Sequence, residues 1–271
     1  MSSISDKKRI VIKLGTSTLT HKTGRLNLRR MNNLVRVIAD LHNSGKEIII
    51  VSSGAIGLGM GKLGLKERPT DTPSKQACAS VGQCELMYMY DNLFDEYGIT
   101  VSQILLTKAT IENERQKNVE NTFKRLLELN VIPIVNENDT VAIDELELEI
   151  GENDSLSALV AKFCGADLLV ILSDIDGLYS SDPHKNDGAR LIPVVTEISA
   201  YIENIAGGVG SALGTGGMST KINAGKIATE NGIDMVIMNG DNPERLYDLF
   251  EDKPVGTLFL ARTDIFDCDQ V

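Results

Sequence analysis

The chain contains no tryptophan, and only six tyrosines and six phenylalanines among 271 residues. Platforms on which the bases of a single nucleic-acid strand stack are built from aromatic side chains, so this composition speaks against that mode of binding. Positive charge is also short. Lysine and arginine number 27 against 38 aspartates and glutamates, a formal net charge of −11. Non-specific affinity for nucleic acid comes from cationic contacts to phosphates, and no excess of cations is available for it. A local cluster of lysines can still hold a small anion. Long apolar runs are missing too. No segment approaches the eighteen or so apolar residues that span a bilayer. The start, MSSISDKKRIVIKLG, has no apolar run ahead of a small-residue cleavage site and does not read as a signal peptide. A cytoplasmic protein is the expectation. The four cysteines (Cys78, Cys84, Cys164, Cys268) form neither a metal-ligand spacing nor a disulfide framework, and read as reduced thiols.

What is present is an ordinary globular balance, 42% hydrophobic and 24% charged, enough to bury a sizeable core. Short β-branched runs alternate with segments of helical periodicity. Strands are predicted over 8–15, 47–54, 100–106, 131–136, 167–173, near 191–195, over 234–240 and over 256–261. Helices are predicted over 27–45, 74–97, 112–129, 155–164, 199–206, 219–231 and 243–250. Residues 55–65 begin as a helix and dissolve into glycines. Residues 137–152, ENDTVAIDELELEIGE, are acidic, alternate apolar and polar residues, and read as a protruding hairpin or loop. Continuous apolar strands alternating with helices predict a mostly parallel sheet covered on both faces. The expected fold is therefore α/β, a single three-layer α/β/α sandwich. In such sheets ligands bind beyond the carboxyl ends of the strands.

The residues at those ends are the candidates. Lys13 stands in an apolar strand, where an unpaired ammonium is costly to bury, and Gly15, Thr16 and Ser17 follow as an anion-binding turn. Ser52, Ser53 and Gly54 lie where a strand meets a helix start, a natural seat for a carboxylate or phosphate. Gly59, Gly61 and Gly64 match the dinucleotide fingerprint in spacing, but they come too late after the strand, and we read them as loop glycines. Two Glu-Asn-Asp clusters, in VNENDTV and GENDSLSALVA, flank the acidic segment. In the second, Asp154 or Ser155 suits a helix cap, while the pair of clusters suits the two ends of an amino acid. Asp174, Asp176 and Gly177 resemble the start of a calcium loop without its later ligands; a tight turn, or a loop receiving a ribose or adenine, are the two readings. In GTGGMSTK (214–221) the glycines let a ligand approach the backbone, Ser219 and Thr220 open a helix, and Lys221 follows in its first turn.

Together KLGTS (13–17), VSSGAIGLG (51–59), VNENDTV (135–141), GENDSLSA (151–158) and GTGGMSTK (214–221) resemble the amino-acid kinase family. They do so in order and over nearly the whole chain, and the resemblance is to the branch that phosphorylates glutamate. Sister kinases of aspartate, acetylglutamate and UMP carry a Lys-x-Gly-Gly type of turn where this chain has KLGTS. The resemblance implies one kinase domain over 1–271, with glutamate motifs mainly in 1–160 and nucleotide motifs mainly in 165–261. It implies transfer from ATP, with Mg²⁺, to the side-chain carboxylate of L-glutamate, the opening step of proline biosynthesis. Lys13 and Lys221 would neutralise the phosphoryl group in flight, and Asp154 would orient both lysines. Ser53, Asp139 and Asn153 would hold glutamate. Lys13, Ser173, Asp174 and the loop Thr215, Gly216, Gly217, Met218, Ser219, Thr220 and Lys221 would hold the nucleotide. Feedback by proline and a homo-oligomer are further expectations of the family. Many bacterial members continue into an RNA-binding-like domain, which this sequence is expected to lack. The competing readings are a sister kinase acting on another small anion, a non-catalytic amino-acid sensor on the same fold, and a nicotinamide-dependent dehydrogenase.

Overall fold

The computed structural model describes residues 3–21, 25–111, 115–141, 153–183, 185–207 and 217–262. Most of the acidic segment, 142–152, and Thr215 and Gly216 of the glycine-rich loop lie outside them. The strands are β1 (Arg9–Leu14), β2 (Glu47–Ser52), β3 (Val101–Leu106), β4 (Ile132–Glu137), β5 (Leu168–Ser173), β6 (Val194–Val195), β7 (Asp234–Asn239) and β8 (Thr257–Phe259). They form one sheet in the order β3-β4-β2-β1-β5-β7-β8-β6. Every pairing is parallel except β7 with β8. The helices are α1 (Thr16–Leu19), α2 (Leu28–Asn43), α3 (Ala55–Leu63), α4 (Thr72–Asp95), α5 (Lys108–Ile111), α6 (Arg115–Glu128), α7 (Asn153–Cys164), α8 (Ala200–Gly207), α9 (Met218–Glu230) and α10 (Arg245–Phe250). This is the predicted three-layer sandwich, with the short α1 and α5 added.

Alternation along the central strands splits the core in two. Ile10, Ile12 and Leu14 of β1 join Ile48 and Ile50 of β2 and Leu34, Ile38 and Tyr90 of α2 and α4 on one face. Val11 joins Ile49, Val51 and the apolar side chains of α7 and α9 on the other. Successive side chains of a strand point to opposite faces. Lys13 therefore shares the face of Val11 and emerges beneath α7 and α9. By the same rule Ser52 and Asn136, at the ends of β2 and β4, fall on the face of α4. The central strands β1, β2, β5 and β7 are apolar through their middles, and the residues Lys13, Ser52, Ser173 and Asn239 stand at or next to their carboxyl ends.

The glycines of α3 correct one expectation. The segment does not dissolve; it is helical from Ala55 to Leu63. Glycine in a helix interior is less favourable than alanine by roughly 1 kcal/mol, so something must offset it. That something is contact with α4. A Cβ on Gly59 would stand 1.8 Å from the carbonyl oxygen of Cys78, and one on Gly82 would stand 1.7 Å from that of Ala55. The two helices cross backbone to backbone at Gly59 and Gly82, while Gly64 ends α3 in a left-handed conformation.

The clash reverses the usual sign of a glycine-to-alanine change. Gly59→Ala and Gly82→Ala are each expected to destabilise by about 2 kcal/mol or more, as overpacking does. At Gly57 an added Cβ meets only Thr16 Cγ2, at 3.9 Å, and Gly57→Ala is expected to be neutral or stabilising. Urea denaturation of the three variants checks the contrast.

Candidate active site

Asp154, the second residue of α7, is fully buried. Its carboxylate is shared by two lysines. Lys13 Nζ from β1 lies 2.6 Å from Oδ1, and Lys221 Nζ from α9 lies 3.1 Å from Oδ2. Both lysines are themselves buried. The hydroxyl of Thr220 donates to Oδ2 at 2.9 Å and is also 2.8 Å from the carbonyl of Gly217. Burial works to raise the pKa of Asp154, but the two ammonium charges and their hydrogen bonds outweigh it and hold the carboxyl below its ordinary value. Asp154 is thus an ionised bridge between lysines, not the helix cap that its position near the start of α7 also allowed. Two buried cations against one buried anion leave a local excess of one positive charge. That is a setting for an incoming anion in a chain that is acidic overall.

A second cluster joins this one through Asn153. Its Nδ2 donates to Ser53 Oγ at 2.6 Å, and lies 3.2 Å from both the Ser52 carbonyl and Asn136 Oδ1. Asn136 Oδ1 also accepts from the Glu137 backbone N–H at 2.9 Å, and Asn136 Nδ2 donates to Gln83 Oε1 at 2.9 Å. Ser52 Oγ is 2.9 Å from the hydroxyl of Tyr90. Burial pushes the Tyr90 phenol above its usual pKa, against the opposing effect of the Ser52 bond, so the group stays neutral. Gly54 takes a left-handed conformation, φ 103°, and opens α3 directly after Ser53. Asp139 lies in the turn after β4 and lines a small cleft together with Gln83.

The third group of predicted residues lies at the ends of β5 and β7. Ser173 is buried and its hydroxyl donates to Asp174 Oδ1 at 3.1 Å, while Asp174 itself is exposed. Asp176 Oδ1 accepts from Asn239 Nδ2 at 2.9 Å, and Tyr179 donates to Oδ2 at 3.3 Å. Those bonds occupy Asp176 in a turn, which is the plainer of the two readings of that loop. Gly217 caps α9 with extended backbone and no side-chain bond to the first turn. The first N–H groups of a helix lack intrahelical acceptors, and the helix dipole favours negative charge there. The N-terminus of α9, with Met218, Ser219 and Thr220, thus offers N–H groups suited to an anion in the same turn as Lys221.

Among the predicted residues, then, Lys13, Asp154 and Lys221 meet at one carboxylate, with Ser53 and Asn153 adjoining through Asn153. Sequence reading passed over Gln83 and Tyr90 and left Asn136 out of the site. A signal for the first two existed. Gln83 and Tyr90 are seven residues apart on the otherwise apolar face of α4 that carries Ala79, Leu86 and Phe94, and a polar atom on such a face needs a partner.

Residues 8–239 match the model of the Amino acid kinase family. The chain belongs to that family. Within it, highly similar relatives are glutamate 5-kinases. The chain is 54% identical to the glutamate 5-kinase of Clostridium perfringens over 263 residues, covering 96% of this chain and 98% of that one. It is 49% identical to the glutamate 5-kinase of Listeria innocua, covering 98% of each. Among solved structures, isopentenyl phosphate kinase from T. acidophilum superposes with a TM-score of 0.65 at 19% identity, over 93% of this chain and all of that one. At that identity the likeness is one of fold.

Asp154→Asn leaves two buried ammonium groups facing each other without a neutralising charge. The expected loss is about 3–5 kcal/mol, the range for stripping one partner from a buried ion pair. The native pKa of Asp154 lies below its reference value of 3.8, so its stabilisation is complete above that value and disappears as pH falls through it toward the native pKa. The stability gap between wild type and variant should therefore be flat from about pH 7 to about pH 5 and narrow only below about pH 4. Denaturant titration across that range reads it.

Proposed function

We propose that this chain transfers the γ-phosphoryl group of ATP to the side-chain carboxylate of L-glutamate, forming ADP and L-glutamyl 5-phosphate, the entry to proline biosynthesis. The observation that carries the reading is the pair of lysines from β1 and α9 on the one buried carboxylate of Asp154. The names of the relatives support the choice of substrate.

The chemistry suits such a site. A glutamate side chain has a reference pKa of about 4.3 and is ionised at neutral pH, so no base is needed. A carboxylate oxygen bonds to Pγ, the bond from Pγ to the bridging oxygen breaks, and ADP leaves with that electron pair. No proton moves. The obstacle is repulsion between an anionic nucleophile and an anionic donor, and phosphoryl transfer is catalysed chiefly by positioning and electrostatic stabilisation. Lys13 and Lys221 approach the phosphoryl group from the sheet and from α9, and Asp154 fixes their spacing. Ser53 and Asn153, with Asp139, hold glutamate. Ser173, Asp174 and the stretch from Thr215 through Lys221 hold the nucleotide. Glutamate groups fall mainly in 1–160 and nucleotide groups mainly in 165–261.

Among the described residues no three acidic, histidine or cysteine side chains gather at a common point, and the Asp154 carboxylate is taken by lysines. Mg²⁺ typically binds through phosphate oxygens and water with few protein ligands, so the ion would arrive with the nucleotide as MgATP. No helix among the described residues is long and apolar enough to cross a membrane. A cytoplasmic location, a homo-oligomeric assembly and inhibition by proline complete the reading.

An ADP-release assay over a panel of glutamate, aspartate and UMP tests it, with turnover expected on glutamate. Activity on aspartate or UMP without activity on glutamate would sink the assignment. Lys13→Ala and Lys221→Ala each remove a contact charge worth roughly 4 kcal/mol in an intermediate dielectric, so kcat is expected to fall roughly a thousandfold in each. Unchanged turnover in Lys221→Ala would refute the mechanism.

A further inference from the structure

We infer that Gln83 is a substrate-positioning residue whose side-chain NH₂ donates to the α-carboxylate of the amino-acid substrate, an inference that rests on the glutamate reading above. The argument begins at a backbone N–H, which can only donate. Glu137 N–H points at the side chain of Asn136, so the atom it meets is the amide oxygen. Asn136 must then present its NH₂ to Gln83, and the atom of Gln83 that accepts it is Oε1. This leaves the NH₂ of Gln83 facing away from Asn136, and its nitrogen is buried with no hydrogen-bond partner among the described residues. The polarity of both amides is fixed by the chain itself, without reference to any ligand.

Gln83 is only 8% exposed. A buried donor without an acceptor is costly and uncommon. It calls for a ligand or a water. Gln83 lines a cleft of about 10 Å³ with Ala55, Ala79, Leu105 and the stretch 137–140, which brings Glu137 as well as Asp139 to it; the space is about that of a single water or one carboxylate oxygen. Gln83, with its buried amide donor, and Asp139 line one cleft, and an amide donor and a carboxylate make a complementary pair. An α-amino acid offers the matching pair, a carboxylate for the amide and an ammonium for the aspartate.

The same relay fixes the other end of the substrate. Asn136 Oδ1 accepts from Asn153 Nδ2, which also donates to Ser53 Oγ. Asn153 adjoins Asp154, which holds Lys13 and Lys221. A relay of hydrogen bonds thus runs from Gln83 through Asn136 to Asn153, whose chain neighbour Asp154 holds the lysines proposed to meet the phosphoryl group.

Steady-state kinetics of two variants test this. Gln83→Glu keeps an acceptor for Asn136 but removes the NH₂; Gln83→Met keeps the length and removes both functions. In both, KM for glutamate is expected to rise about tenfold or more, the scale of one lost hydrogen bond to a charged group, with kcat and the KM for ATP little changed. γ-Aminobutyrate, which is glutamate without its α-carboxylate, should inhibit wild type and Gln83→Met with the same inhibition constant. A wild-type glutamate KM in Gln83→Glu would show that Gln83 serves only to hold Asn136 and would overturn the inference. So would a fall in kcat at constant KM, or an equal weakening of γ-aminobutyrate. Should Gln83→Glu fail to fold, Asn136→Asp supplies the same test. An aspartate cannot donate, so the Gln83 amide turns over, presents its oxygen to the cleft, and the glutamate KM rises; an unchanged KM would refute the assignment. A wild type that turns over another acceptor and no glutamate overturns the functional reading and this inference with it. A wild type active on glutamate beside unaltered variants overturns this inference alone.

Discussion

A carboxylate with no exposure to water holds two ammonium groups, and their three charges do not cancel. Burying Asp154 alone would be prohibitive, and burying Lys13 or Lys221 alone nearly so. Each is tolerated because of the others. The three residues come from β1, α7 and α9, so the interaction ties the central strand to two helices of one layer at the carboxyl end of the sheet. Removing water from around them also strengthens their field. The residual positive charge is therefore most effective at the place where an anion is to be received.

How much of this was legible in the sequence follows from what each signal depends on. The strands announced themselves as continuous apolar runs because they are buried on both faces, and Lys13 stood out because an ammonium interrupts one of those runs. Asp154 was ambiguous by position, since the start of a helix is also where an aspartate caps; only the resemblance to a known family separated the two uses. Gln83, Tyr90 and Asn136 were harder. Their roles depend on which amide end faces which neighbour, and on α4 lying across the ends of β2 and β4, contacts between residues roughly fifty positions apart in the Gln83–Asn136 case. Local periodicity reports that a face is buried, not what waits beneath it. The glycines of α3 misled for a related reason. Glycine signals a loop locally, and here its purpose lies in another helix.

Alternation in β1, β2 and β4 assigns the two kinds of work to opposite faces. Lys13 falls with α7 and α9, where charge is gathered. Ser52 and Asn136 fall with α4, where neutral amides and hydroxyls are gathered. Asn153 stands at the seam, bonded to Ser53 and Asn136 while its neighbour Asp154 faces the lysines. The neutral cluster and the charged one are thereby held in registry by adjacent residues of one helix.

The crossing of α3 and α4 has an evolutionary consequence. With Gly59 and Gly82 pressed against backbone, any side chain at either position would force α3 and α4 apart, and Gln83 is the immediate neighbour of one of those contacts. New acceptor preferences in this scaffold are therefore expected to arise by exchanging side chains on a kept frame. Divergence among such proteins should be recorded as substitutions around the crossing and seldom at the crossing itself.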